Sequence, residues 1–200
     1  SYVLYVGYVG ILHFGLLDGL VLRYSQYDYE ELDKARVRSQ FVILLLFTAM
    51  LAVISIIVAL IALSGPARYV VIFVGIGIIS KNFHTYNSYT FQITNRINKY
   101  AVIVIAQRVS YGAIVAVLLL LKVNDFRYYC MAELGGDVVA ILLAMIFNKG
   151  MYFGKALPVK DAFSELKLNI AAGIVLMLAN LSAGLIVGSA KMIIQWRWDE

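Results

Sequence analysis

Long apolar runs alternate with short charged or polar stretches along the whole chain, and the runs cluster near residues 2–22, 41–63, 69–90, 100–121, 128–147 and 168–192. Each approaches the roughly 20 residues that an α-helix needs to cross a bilayer core of about 30 Å. The runs are continuous in Leu, Ile and Val and lack the two-residue alternation of barrel strands, so they predict helices, whose backbone groups are satisfied within the segment. The expected architecture is therefore an all-α integral membrane protein with about six transmembrane helices.

Composition agrees with this pattern. Of 200 residues, 62% are hydrophobic and 14% charged, against about 45 to 50% and 25% in soluble domains. The mean hydropathy is +0.83. Basic residues sort by loop. Arg23, Lys34, Arg36 and Arg38 follow the first run, Arg96, Lys99 and Arg108 surround the third junction, and Lys149, Lys155, Lys160 and Lys167 fill the fifth. The other junctions and the end hold Arg68, Lys122, Arg127, Lys191 and Arg197. Eleven against five places the first, third and fifth junctions in the cytoplasm, because Lys and Arg near span ends favour that side.

Several polar details refine this outline. Asp28-Tyr-Glu-Glu31 predicts a capping box opening a short helix that runs to Arg38. The stretch 149–165, with Gly150, Gly154 and Pro158, predicts a boundary between bundles. Ser1 is not an initiator, residues 2–22 lack the features of a signal peptide, and the chain stops just past an aromatic and charged edge at Gln195-Trp-Arg-Trp. A fragment at both ends is expected.

The third run carries the most chemistry. Lys81, His84, Ser88, Gln92 and Asn95 recur at helical spacing and form one polar stripe. Lys81 falls roughly 18 Å along the helix from Tyr69, past the midplane. Two readings stand open for it: an intramembrane cation placed for function, or a side chain extended to the headgroups. His84 reads first as a hydrogen-bonded packing residue. In the fourth run Gln107 and Tyr111 share a face, and the Arg108 guanidinium suits a pair of phosphate oxygens, with extension to the surface as its alternative. Asp18, Glu133 and Asp137 are candidate sites for a proton or sodium ion. Asp18 lies only about 7.5 Å from the boundary at Arg23. For Glu133 and Asp137, four residues apart, structural pairing with neighbouring polar groups is the preferred alternative. Cys130 is the single cysteine, and no GxSxG, HExxH, P-loop or CxxC motif is present. Enzymatic catalysis, a metal, a cofactor and a nucleic-acid partner are not expected.

His13-Phe-Gly-Leu-Leu-Asp18-Gly-Leu-Val-Leu-Arg23-Tyr24 and Asp28-Tyr-Glu-Glu-Leu-Asp-Lys34, with Gln92-Ile-Thr-Asn-Arg96, Asn124-Asp-Phe-Arg-Tyr-Tyr129, Leu168-Asn-Ile-Ala-Ala-Gly173 and Met177-Leu-Ala-Asn180, resemble bacterial polysaccharide biosynthesis proteins of the O-antigen flippase type. That family lies within the superfamily of multidrug, oligosaccharidyl-lipid and polysaccharide exporters. The resemblance implies a fragment of a twelve-to-fourteen-helix, two-bundle transporter in the bacterial inner membrane. Residues 1–148 would be most of the N-terminal bundle without its first helix, 149–165 the cytoplasmic linker and 166–200 the first helix of the C-terminal bundle. The implied cargo is an undecaprenyl pyrophosphate-linked oligosaccharide, flipped outward by alternating access. Lys81, His84, Arg96, Gln107, Arg108 and Tyr111 would then contact cargo, with proton or sodium coupling at Asp18, Glu133 or Asp137. A drug exporter of the same superfamily is the main alternative, and a membrane glycosyltransferase or polymerase a more distant one.

Overall fold

A computed structural model describes residues 13–198, with side-chain detail running to residue 183. Its described residues form seven helices and no strand: α1 (Leu16–Tyr24), α2 (Lys34–Ala62), α3 (Gly65–Ile93), α4 (Ile97–Leu120), α5 (Phe126–Phe147), the single turn α6 (Lys149–Tyr152) and α7 (Val159–Trp198). Five of them, α2 to α5 and α7, are long and apolar enough to cross a membrane. The first expected span lies partly outside the described residues. What is seen of it is α1, which starts after left-handed backbone at Phe14 and Gly15.

Local chemistry sets the helix ends. Asp33, not Asp28, caps α2: its carboxylate accepts from Ala35 N at 3.1 Å and Arg36 N at 3.3 Å. The expected short helix from Asp28 is replaced by a turn, and α2 runs unbroken from Lys34 through the second apolar run. Pro66 in the first turn of α3 follows the two-residue connection after α2, where a missing N–H costs nothing. Asp125 caps α5 through Arg127 N at 3.0 Å.

The helices pack chiefly as α2 with α3, α4 with α5, and α1 with α7, joined where α3 meets α1 and α5. Leu17, Leu20, Val37, Phe41 and Tyr86 make one core and Phe91, Ile103, Ala140 and Ala144 another. The outer faces carry Leu46, Ile61, Val109 and Ile146 at 64 to 81% exposure. In water such faces would be a liability, whereas hydrocarbon is their natural solvent.

The 149–165 stretch is strapped to the bundle and does not hang free. Tyr152 of α6 stacks on Phe83 and hydrogen-bonds Asn87. Arg38 donates to Lys155 O at 2.5 Å and Gly150 O at 2.6 Å. The end of this stretch is already helical: α7 begins at Val159, and Gln40 Nε2 donates to Ala162 O at 3.1 Å. That bond sets Ala162 level with the start of the second apolar run, whereas the last apolar run begins only near residue 168.

Candidate functional site

α3, α4 and α5 bring four of the singled-out residues together at mid-helix. Lys81 Nζ lies 2.9 Å from Glu133 Oε1 and 3.4 Å from Asp137 Oδ1. Ser80 Oγ donates to Asp137 Oδ2 at 2.6 Å, and Gln107 Nε2 donates to Asp137 Oδ1 at 2.5 Å. Asp137 is thus held by three donors from two neighbouring helices, which is what a carboxylate needs where water is scarce. Packing makes the approach possible. A Cβ on Gly136 would sit 2.9 Å from Gln107 O and 3.2 Å from Tyr111 Cβ, so the absent side chain lets α4 lie against α5. Tyr111 borders the cluster through this contact.

His84, one turn along from Lys81, places Nε2 3.4 Å from Tyr100 Oη. The space among Ser80, His84, Asn87, Ile103 and Asp137 is too tight for a water molecule. In this arrangement Asp137 is closed off, while Lys81 pairs with both carboxylates and, like Glu133, stays partly open. With all three ionised the cluster carries one net negative charge.

Arg96 lies apart from it, and Arg108 makes no hydrogen bond or ion pair with it but is near enough to act on His84 through space. Arg108 is exposed on the outer face of α4. Arg96 is taken up near the basic-side end of α5, donating to Phe147 O and to Asn148 Oδ1 and stacking over Tyr29 at 4.1 Å. There it closes the carbonyl end of α5, a role for which a guanidinium is well suited.

Asp18 forms a second site at the crossing of α1 and α7. It is 1% exposed. Tyr89 Oη of α3 donates to Oδ1 at 3.2 Å and Asn180 Nδ2 of α7 at 3.3 Å, while His13 Nδ1 lies 3.6 Å from Oδ2. The two helices meet backbone to backbone: a Cβ on Gly19 would fall 1.8 Å from Asn169 O, and one on Gly173 2.0 Å from Gly15 O. The sequence carried a signal for this contact in Gly15 and Gly19, four residues apart, although Gly15 itself sits in left-handed backbone just before α1. Nothing in the spacing named Tyr89 as the third partner.

Nearer the basic side Glu165 joins three elements. Its Oε1 accepts from Arg23 Nη1 and Tyr24 Oη, each at 2.5 Å, and its Oε2 lies 3.7 Å from Arg36 Nη1. Burial and the neighbouring carboxylate push the Tyr24 phenol up to about 12. Sequence reading passed over Glu165, an acid among the lysines of a charged loop.

Among the described residues no group of three His, Cys, Asp or Glu side chains is placed to hold a metal ion. Comparison of the chain with protein-family models, curated proteins and solved structures finds no match.

Proposed function

We infer that the chain belongs to a membrane transporter that flips an undecaprenyl pyrophosphate-linked oligosaccharide from the cytoplasmic to the outer leaflet by alternating access, for cell-surface polysaccharide synthesis. The observation that carries this reading is the Lys81, Glu133 and Asp137 cluster at mid-helix between apolar spans. Ionisable groups at that depth are costly and mark pathways and relays. A scaffold would gain the same packing from apolar residues at less expense.

The geometry fits a charge exchange. Lys81 cannot take a pyrophosphate oxygen without leaving Glu133 and Asp137 short of a counter-charge, so cargo entry favours uptake of a proton or sodium ion by the carboxylates. Release of the cargo restores the ion pairs. Arg108, exposed one residue beyond Gln107, supplies the first cationic contact. A drug exporter of the same superfamily is the second reading, favoured by one observation: the cluster sets two carboxyl groups against one ammonium, which suits an organic cation.

Leaflet-specific detection of the lipid-linked sugar tests the proposal in cells carrying or lacking the full-length gene. Accumulation of intact product on the cytoplasmic side in the deletion is the expected result. A change in the amount or structure of the product, with its leaflet distribution unaltered, would point to an enzyme.

A further inference from the structure

A groove of about 740 Å³ runs between α2 and α7 and ends against the start of α1. Its size falls within the roughly 300 to 1,000 Å³ of ligand sites, yet its walls offer almost no polar group. Of the seventeen lining residues only Ser39 and His13 are polar. The Ser39 hydroxyl is already used, donating to Ala35 O and accepting from Leu157 N, each at 2.7 Å. His13 is buried beside Asp18. An occupant therefore needs an apolar body and no hydrogen bonds along its length.

Depth narrows the choice. Gln40 and Ala162 mark the groove's basic-side end through their hydrogen bond. From there the lining reaches Met50, ten residues on, and Ile170, eight residues on, or roughly 15 Å and 12 Å along the helices. That is about half of a hydrocarbon core of roughly 30 Å, the depth of one leaflet. The same end carries a basic excess: exposed Lys155 and Lys160, against one exposed acid at Asp161, flank the lining residues Ala156, Leu157 and Val159.

We propose that this groove is a lipid site, holding one hydrocarbon chain of a phosphate-bearing membrane lipid from the basic-side leaflet with its phosphate at Lys155 and Lys160. Chain length, lining and rim charge all match such a molecule, and the assignment is independent of what cargo the transporter carries. Phe47, Met50 and Phe163 contact the chain, and a lysine near a membrane surface favours an anionic lipid by about 1 kcal/mol, or about fivefold.

The test is photo-crosslinking of the full-length protein in phosphatidylcholine vesicles doped with phosphatidylglycerol bearing a mid-chain diazirine, with diazirine phosphatidylcholine at equal mole fraction as the control. Adducts mapped by mass spectrometry should be richer at Phe47, Met50 and Phe163 than at the exposed outer-face residues Ile105 and Leu142, and at the groove at least about fivefold richer with phosphatidylglycerol than with phosphatidylcholine. Lys155→Gln with Lys160→Gln should bring the phosphatidylglycerol yield down to that of phosphatidylcholine. Val42→Trp, which fills the groove from its rim, should remove the groove adducts and spare those at Ile105 and Leu142, which also reports that the bundle is intact. Adducts that follow exposure alone, a groove that stays unlabelled because protein covers it, or equal yields from the two lipids would overturn the proposal.

Discussion

Asp137 and Asp18 are both buried carboxylates, 3% and 1% exposed, and their surroundings differ in kind. Asp137 has both oxygens occupied by donors, Lys81 and Gln107 on one and Ser80 on the other. Asp18 has two donors on Oδ1, while Oδ2 has no hydrogen-bond partner among the described residues and only the His13 ring nearby. The first is a closed network within the α3 to α5 group. The second sits at the seam where α1 and α3 meet α7, and a carboxylate with a spare acceptor is less tightly bound to one arrangement. Full satisfaction rigidifies a polar network, whereas partial satisfaction leaves it responsive to a proton, an ion or a moving partner. If the bundles move against each other, the seam is where the contrast predicts change and the closed network is where it predicts resistance.

Lys81→Met should be the most damaging change. It leaves Glu133 and Asp137 close together without their cation, and breaking a buried pair costs about 3 to 5 kcal/mol. Lys81 and Glu133 retain 20% and 28% exposure, so a loss of about 3 kcal/mol is expected, read by denaturant unfolding in lipid or detergent micelles. Adding Glu133→Gln should recover part of it, a non-additivity that independent sites do not show. A fully additive double variant would break the network description.

Gly19→Ala strikes the other region and comes next. Its methyl group would meet the Asn169 carbonyl at 1.8 Å, which forces α1 and α7 apart at a cost of about 1 to 3 kcal/mol. Gly112→Ala in α4, where a Cβ meets nothing within 4 Å, is the counterpart and should be neutral or stabilising by up to about 1 kcal/mol. Equal effects at the two glycines would mean that the α1 and α7 contact is not close-packed.

The amide substitutions sharpen the contrast directly. Asp137→Asn removes a charge that Lys81 and Gln107 both bond and makes Ser80 turn its hydroxyl to Gly77 O in order to accept from the amide, so it should cost about 1 to 3 kcal/mol. Asp18→Asn can keep Oδ1 for Tyr89 and Asn180 and place its amide towards the His13 ring, so its effect should stay within about 1 kcal/mol. The reverse order in thermal unfolding would contradict the assignment of spare capacity to Asp18.

These sites also show what the sequence does and does not reveal. The long helices are legible because unbroken Leu, Ile and Val runs leave a helix as the economical solution. Their basic-side ends are not, since hydropathy reports contact with lipid and the first turns of α2 and α7 are polar segments packed on protein: Arg38, Gln40 and Glu165 are buried there. Glu133 and Asp137 are recognisable as a same-face pair four residues apart, but Lys81 joins them across helices, and spacing along one helix carries no such information. Similar depth in two spans that run the same way, with one span between them, was the available clue. Asp18 looked shallow when measured only to Arg23. Its burial comes from Tyr89 and Asn180, which are 71 and 162 residues away in sequence. The Gly15 and Gly19 spacing was visible, and what it packs against was not.

A small effect is expected at Arg127, whose outcome calibrates the others. Its Nε lies 3.5 Å from Asp125 Oδ2, with 47% and 40% of the two side chains exposed, and its guanidinium sits 4.1 Å over the Tyr69 ring. Water screens such a pair, leaving about 0 to 1 kcal/mol, and the ring contact at an exposed site adds about 0.5 to 1 kcal/mol. The Asp125 cap on Arg127 N uses the backbone and survives the substitution. Arg127→Gln should therefore cost about 0.5 to 2 kcal/mol, and added salt should shrink the difference further. Lys81→Met should respond less to salt, because its partners are partly or wholly withdrawn from solvent. Measuring both variants at low and high ionic strength separates an ion pair held inside the bundle from one at its edge. A Lys81 effect as salt-sensitive as that of Arg127 would place the mid-helix cluster in open water and remove its distinction from the loop.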